Sequence, residues 1–257
     1  MKTKEIAKSQ IDRTRNLEGS EKDRKVGFVT SLFSDGSKEY DFLLKILSLG
    51  RDEFWRRTAI DHADVRCGDR VLDIACGTGL LTYSFARRGT LVIGVDVTRE
   101  MILRSMDLPE FQLYDVEFVQ ARAENLPLRS GVFDAATISL AMRNVSSQTE
   151  TLAEMGRCVK QGGKVLSLDF SKPKSCVFRP FYYFYIFRVL PALGLTISRH
   201  WNLIFTYLAN SIDLSRDPED IQKTMETAGL SETSSEKMTH GVVALVSGVK
   251  HQEIYPR

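Results

Sequence analysis

The spacing of apolar positions changes character once along this chain. From Val26 to Trp55 apolar residues recur at three and four positions, with Phe28, Leu32 and Phe33, then Phe42, Leu43, Ile46 and Leu47. That period predicts amphipathic helices packed on something larger. From Asp69 onward, short apolar runs bounded by Gly and polar residues alternate with helical stretches. Residues 70–75, 91–95, 116–119, 133–139 and 164–170 read as strands, and 80–88, the stretch capped by Thr98, and 148–159 as helices. Gly162-Gly163 reads as a turn. A further helix carrying Ile221, Met225 and Ala228 stops at Gly229, and a strand pair near 231–238 and 241–249 closes the chain. Strands alternating with helices imply parallel pairing through right-handed crossovers. The expected fold is α/β and Rossmann-like: a mostly parallel seven-stranded sheet, helices on both faces and an antiparallel final strand.

Two stretches depart from this rhythm. Residues 1–25 are polar and aperiodic, which predicts a solvated segment. Residues 172–210 contain the aromatic run Phe181-Tyr182-Tyr183-Phe184-Tyr185-Ile186-Phe187, which could be core, the wall of a greasy tunnel or a membrane-facing surface. The expected organisation is a helical segment over 1–64 covering the site, then one domain over 65–257 with an aromatic-rich insertion at 172–210.

Ligands of such sheets bind beyond the carboxyl ends of the strands. That rule gathers five loops, at 73–79, Asp96, 121–124, 139–144 and 169–171. The first strand ends in Asp73 and leads through Cys76-Gly77-Thr78-Gly79 into a helix, a nucleotide-type loop in which glycine lets backbone approach a ligand. A dinucleotide fingerprint would put a third glycine where Thr82 stands. Asp96, at the end of the next strand, can accept hydrogen bonds from two ribose hydroxyls. Asp73 could brace the loop rather than touch the ligand. Together with Phe133-Asp134, these features resemble the class I S-adenosylmethionine-dependent methyltransferases over 65–170.

A narrower resemblance follows. Ala121-Arg122-Ala123-Glu124-Asn125-Leu126-Pro127, Arg143-Asn144-Val145 and Leu168-Asp169-Phe170-Ser171-Lys172-Pro173 resemble the ubiquinone/menaquinone biosynthesis C-methyltransferases. So do Tyr40-Asp41, Ser48-Leu49-Gly50 and Trp55 in spacing, Leu190-Pro191-Ala192-Leu193-Gly194, the stretch from Tyr207 to Ile212, and Gly241-Val242-Val243-Ala244-Leu245. The resemblance implies methylation of a ring carbon of a prenylated quinol. It implies S-adenosylmethionine near Thr78, Asp96, Arg122, Ala123 and Ser139, to which the loop reading adds Asp73, Gly77 and Gly79. Departures stand at Cys76 (usually Gly), Arg122 (usually Asn), Phe42 to Leu44 after Tyr-Asp, Asp52 (usually His), Gln161 (usually Pro) and Asp169 (usually Glu). They leave open another hydrophobic or phenolic acceptor, O- or N-methylation, or a non-catalytic cofactor-binding factor.

The chemistry constrains the site further. Methyl transfer from a sulfonium is an in-line displacement, so positioning does much of the work. A ring carbon becomes nucleophilic when a neighbouring hydroxyl loses its proton, and a quinol hydroxyl should titrate like a phenol, at about pH 10. Arg143 is the natural stabiliser of that anion. Asn144 and Tyr40 could hold the ring oxygens, and Asp169 could act as base. Composition narrows the partners. The 257 residues carry 35 basic and 33 acidic side chains, a balance unlike that of a nucleic-acid binder. Cys67, Cys76, Cys158 and Cys176 lack metal-ligand spacing and read as free thiols, so no metal is expected. No signal peptide and no uninterrupted apolar span is read. The expectation is a cytoplasmic enzyme, peripheral at the membrane, acting on a hydrophobic small molecule, with a homodimer as a further expectation.

Overall fold

A computed structural model describes residues 21–35 and 40–251. Among the described residues, three helices, α1 (Glu21–Asp35), α2 (Tyr40–Ser48) and α3 (Asp52–Ala63), precede the sheet. Of the segment expected to be solvated over 1–25, residues 21–25 form the first turn of α1, where Asp23 and Lys25 are exposed and carry tertiary contacts. Residues 1–20 lie outside the described chain.

The sheet strands are β1 (Arg70–Ile74), β2 (Leu91–Asp96), β3 (Val116–Gln120), β4 (Phe133–Ser139), β5 (Val159–Phe170), β6 (Leu230–Met238) and β7 (Val243–Lys250). They lie in the order β3-β2-β1-β4-β5-β7-β6. The first five pair in parallel, and β7 inserts antiparallel between β5 and β6. This is the seven-stranded, mostly parallel sheet that the hydrophobic pattern predicts. Chain order reverses across β1 and β4, and a cleft opens there as expected for a switch point.

The apolar alternation along each strand sorts the core into two halves. Val71, Ala135, Leu166 and Leu168 face one side, with Trp55, Phe85 and Phe205. Leu72, Ile74, Ala136, Ile138 and Val165 face the other, with Leu152, Met155 and Met225. Helices α4 (Leu80–Ala86), α5 (Arg99–Met106), α6 (Gln148–Cys158) and α10 (Pro218–Thr227) are the crossovers of the sheet. Gly162-Gly163 is not a separate turn. It lies within β5, with Gly162 at φ +77° and the β4 pairing shifting register between Phe133 and Ala135.

The aromatic-rich insertion forms α7 (Phe178–Phe184), a π-helical turn at Tyr185–Val189 and α8 (Leu190–Ile197), followed by α9 (Arg199–Asp213). Its aromatic run is divided. Tyr182 and Ile186 are buried, Phe181 and Phe184 exposed, and Tyr183, Tyr185 and Phe187 half-buried. Phe178–Ile197 is also long and apolar enough to cross a membrane by length and composition, a stretch hidden in the sequence by Arg179 and Arg188.

Candidate active site

The cleft at the carboxyl ends of β1, β2 and β4 spans about 790 Å³, the solvent at its open mouth included. Its floor is the turn after β1. Ala75 and Gly77 adopt positive φ there, at +52° and +57°, and Gly79 follows at +83°. Gly79 has a second reason to be glycine, since a Cβ would sit 2.7 Å from the Phe111 ring. Leu140, after β4, is another non-glycine residue at positive φ, +55°. Ala75 and Leu140 both line the cleft, so backbone strain concentrates where a ligand would sit.

Asp96 closes one end. Its carboxylate accepts the backbone N–H groups of Gly77 and Thr98, each at 2.8 Å, one on each oxygen. The Thr98 hydroxyl and the Val97 N–H also bond this carboxylate, which lines the cleft. Burial pushes this carboxyl above its usual range. Val97, Met101, Ala121 and Ala123 give the adjoining wall an apolar character, and Ser139 and Asn144 line the opposite end.

Three residues read as cofactor-binding have side chains bonded to other protein groups. Asp73 is buried, and its carboxylate accepts the hydroxyls of Thr82 at 2.6 Å and Thr137 at 3.1 Å. Asp73 and Thr137 are register partners on β1 and β4, so the contact follows from strand pairing. Burial raises the Asp73 carboxyl to about 6, although both hydroxyls oppose the shift. Thr78 donates its hydroxyl to Asp41 of α2 at 2.6 Å. Arg122 lines the cleft, but its guanidinium turns outward to Asp23, at 2.7 Å, and to Ser146, at 3.2 Å. Glu124 beneath it accepts the Ser146 N–H and hydroxyl at 2.6 Å each.

Helix α1 lies along the cleft, contributing Val26, Val29 and Phe33 to its lining. Polar contacts pin it there: Lys25 donates to the carbonyls of Val145 at 2.7 Å and Arg143 at 3.1 Å, and Ser34 donates to Glu100 at 2.8 Å. Burial lowers the Lys25 ammonium, opposed by the charge of Glu124.

A second constellation adjoins the Ser139–Asn144 end. Arg143 is buried and ion-paired with Asp169, which also accepts the backbone N–H groups of Arg143 at 2.9 Å and Phe170 at 2.7 Å. Arg143 further donates to Leu140 O at 2.5 Å and to Ser211 of α9 at 3.2 Å, and its guanidinium carbon lies 5.1 Å from the Phe170 ring centre. These bonds use Nε and Nη1; Nη2 has no partner among the described residues. Asn144 is held through its side-chain oxygen by the Tyr207 hydroxyl at 2.9 Å. Tyr182 completes the set: its hydroxyl is buried without a partner among the described residues, and it feels the charges of Arg143 and Asp169. Burial pushes its phenol up, partly offset by Arg143. Tyr40 begins α2, but its side chain lies outside the described residues. Sequence reading missed Tyr182, Tyr207 and Ser211, although all three stand in stretches it had singled out.

Comparison with known proteins decides among methyltransferases. The model of the ubiE/COQ5 methyltransferase family matches residues 18–250. The chain belongs to the ubiE/COQ5 methyltransferase family. Among its relatives, the ubiquinone/menaquinone biosynthesis C-methyltransferase of Marinomonas sp. (strain MWYL1) is 38% identical over 89% of this chain and 92% of its own length. The protein of that name from Idiomarina loihiensis is 37% identical over 89% and 93%. Solved structures share the fold. A SAM-dependent methyltransferase from Thermotoga maritima superposes with TM-score 0.60 at 18% identity, covering 86% of this chain and 98% of its own. Haemonchus contortus phosphoethanolamine N-methyltransferase 2, solved with S-adenosyl-L-methionine, gives 0.57 at 14% identity over 77% and 52%.

As a member of this methyltransferase family, the chain is an S-adenosylmethionine-dependent enzyme, and its cleft fits that cofactor. The glycine turn has no phosphate to bind, the Asp96 carboxylate lines the cleft at the end of β2, and the apolar wall suits a flat base. The ubiE/COQ5-type departures now have physical settings. Position 76 does not adopt positive φ, so a side chain is tolerated; Gly94 makes the room, since a Cβ there would lie 3.1 Å from the Cys76 sulfur. Burial, then the charges of Asp96 and Asp73, push the Cys76 thiol well up, which makes it inert packing. Asp52 is bonded to Ser48 at 2.9 Å and Arg56 at 2.7 Å, so it braces the start of α3.

Proposed function

We propose that this enzyme transfers the methyl group of S-adenosylmethionine to a ring carbon of a prenylated quinol, the reaction class named for its relatives. One observation carries the reading: a preoriented polar constellation of buried Arg143 and Tyr182 with half-buried Asn144 and Tyr207 adjoins the cofactor cleft at Leu140 and Asn144. When bound, the cofactor supplies an electrophilic methyl on sulfur. The chain must hold the acceptor ring in line with it and favour the ionised hydroxyl that makes the ring carbon nucleophilic.

Arg143 serves the second need. Its orientation is set by Asp169, Leu140, Ser211 and the Phe170 ring, leaving the two N–H bonds of Nη2 to face a quinol oxygen. A fixed cation needs no reorganisation as charge develops. Asp169 already accepts hydrogen bonds on both oxygens, so it positions Arg143; acting as base would require it to surrender one of them. Asn144, fixed by Tyr207, has its amide N–H groups for the ring oxygen, and Tyr40 is assigned to the same ring. Helices α1 to α3 act as the cover over residues 21–63. The same reading makes this a cytoplasmic enzyme that reaches its acceptor at a membrane surface.

The test is incubation with methyl-labelled cofactor and a panel of reduced short-chain quinones, phenols and amines. Label in a ring carbon of the quinol is expected. Label only on phenol oxygen or amine nitrogen would replace this function with another acceptor class.

A further inference from the structure

The continuous helix Phe178–Ile197 lies on the outside of the molecule, with 22% of the stretch buried. One face is fixed to the body. Tyr182, Ile186 and Leu190, four residues apart, are buried. Tyr185 donates to Ile46 O at 2.7 Å, Tyr183 to Asp213 at 2.9 Å, and Asn202 to Pro191 O at 2.8 Å. Gly194 lets α9 approach so closely that a Cβ would lie 2.7 Å from the Asn202 backbone. A helix tied at so many points along its length lies on the domain and does not leave it to span a bilayer.

The opposite face is apolar and open. Val177, Phe181, Phe184 and Leu195 are exposed at helical spacing, with Phe181 at 70% and Phe184 at 63%. Further exposed apolar side chains stand on and just after α2, which Tyr185 ties to this helix. Exposed Phe42 packs edge-on against Trp201 at 6.0 Å, and Leu49, 74% exposed, follows the segment that Tyr185 bonds. Large apolar side chains exposed together in this way mark an interaction site.

Charge identifies the partner. Between Phe170 and Ile212 the sequence holds no Asp or Glu, whereas it holds Lys172, Lys174, Arg179, Arg188 and Arg199. Arg179, Arg188 and Arg199 are exposed on or beside the apolar helix, and exposed Lys45 and Arg51 flank it from the α2 side. The whole chain is almost neutral, at +2, so this local excess is a property of the patch. An apolar stripe flanked mainly by cations, with exposed Asp213 bonded to Tyr183, matches a bilayer whose headgroups are anionic, and an interfacial helix buries its apolar face in this manner.

We propose that Phe178–Ile197, with Phe42 and Leu49, is a docking surface for an anionic lipid bilayer. The proposal extends the membrane-surface part of the function above, but it is measured without any methyl acceptor, so either can fail alone. The full chain is mixed with vesicles of phosphatidylcholine alone or with added phosphatidylglycerol, and its flotation is measured. Strong flotation with the anionic vesicles and at least tenfold less with phosphatidylcholine is expected. Phe181→Ser with Phe184→Ser, and separately Arg188→Glu with Arg199→Glu, should each cut anionic-vesicle binding at least tenfold. Unchanged cofactor affinity and circular dichroism show that both variants fold. Absence of wild-type flotation, equal flotation on both vesicles, or variants that float like wild type would overturn it. So would a dimer in sedimentation that the serine substitutions dissolve, with no flotation, since a second copy would then cover this face.

Discussion

The Asp41 carboxylate accepts the Thr78 hydroxyl at 2.6 Å, joining a helix of the N-terminal segment directly to the glycine turn. Thr78 is buried, so its hydroxyl has lost water and depends on this partner. The contact makes the position of α2 and the shape of the cofactor floor one structural event. Asp41→Ala is expected to weaken S-adenosylmethionine binding roughly tenfold, about 1.4 kcal/mol, with Asp41→Asn recovering most of it. Isothermal titration of the three proteins checks this, and an affinity unmoved by Asp41→Ala would uncouple α2 from the cleft.

This coupling also marks where sequence reading ends. The strands were legible because Val71-Leu72 and Leu91-Val92-Ile93 are short apolar runs bounded by polar or glycine residues, and their alternation with helices implied parallel pairing. Asp96 was legible because its role depends on a fixed place at the end of β2. Thr82 was read only as a missing glycine, although it is the partner of Asp73; the contact requires knowing that α4 folds back over β1. The outward turn of Arg122 toward Asp23 and the bonds Tyr207–Asn144 and Arg143–Ser211 join residues from separate elements, and no local pattern announces them. Cys76 looked like a warning because a family glycine was absent, yet its backbone never needed one.

The Arg143–Asp169 pair separates two roles that sequence alone left interchangeable. Removing one partner of a buried pair strands the other charge, at a cost of about 3–5 kcal/mol, so Arg143→Ala is expected to lose stability as well as turnover. Asp169→Asn keeps the shape and is the sharper probe. With Asp169 as a positioning group, kcat should fall about tenfold while cofactor affinity and the pH at half-maximal kcat stay near wild type. A loss of a thousandfold, with the acid limb of the pH profile abolished, would make Asp169 the base.

The Tyr182 hydroxyl, buried without a partner among the described residues, is a stability liability unless a ligand meets it. A buried hydroxyl without a partner costs roughly 1–3 kcal/mol, so Tyr182→Phe should raise the melting temperature of the free enzyme by a few degrees. If the hydroxyl meets the acceptor ring, the same variant should lose about tenfold in kcat/KM for the quinol with no change in cofactor affinity. Stabilisation with full activity would assign Tyr182 to packing alone.

Asp73 predicts a pH dependence whose sign is opposite to that of a salt-bridged carboxylate. Its carboxyl is raised from 3.8 to about 6, first by burial, with the charge of Asp96 adding to the shift. In the unfolded chain it releases its proton near 4, whereas the folded protein keeps it to about 6. The stabilisation is therefore complete below the unfolded value and is lost as pH rises through about 6. The shift of about two units corresponds to roughly 3 kcal/mol. Asp73→Asn cannot ionise, so stability measured by urea unfolding should fall less steeply between pH 4 and 6 than in the wild type. Asp96, also raised by burial, contributes slope of the same sign and remains in the variant. Identical slopes in the two proteins would mean that Thr82 and Thr137 hold the Asp73 carboxylate ionised, with their hydroxyls outweighing its burial.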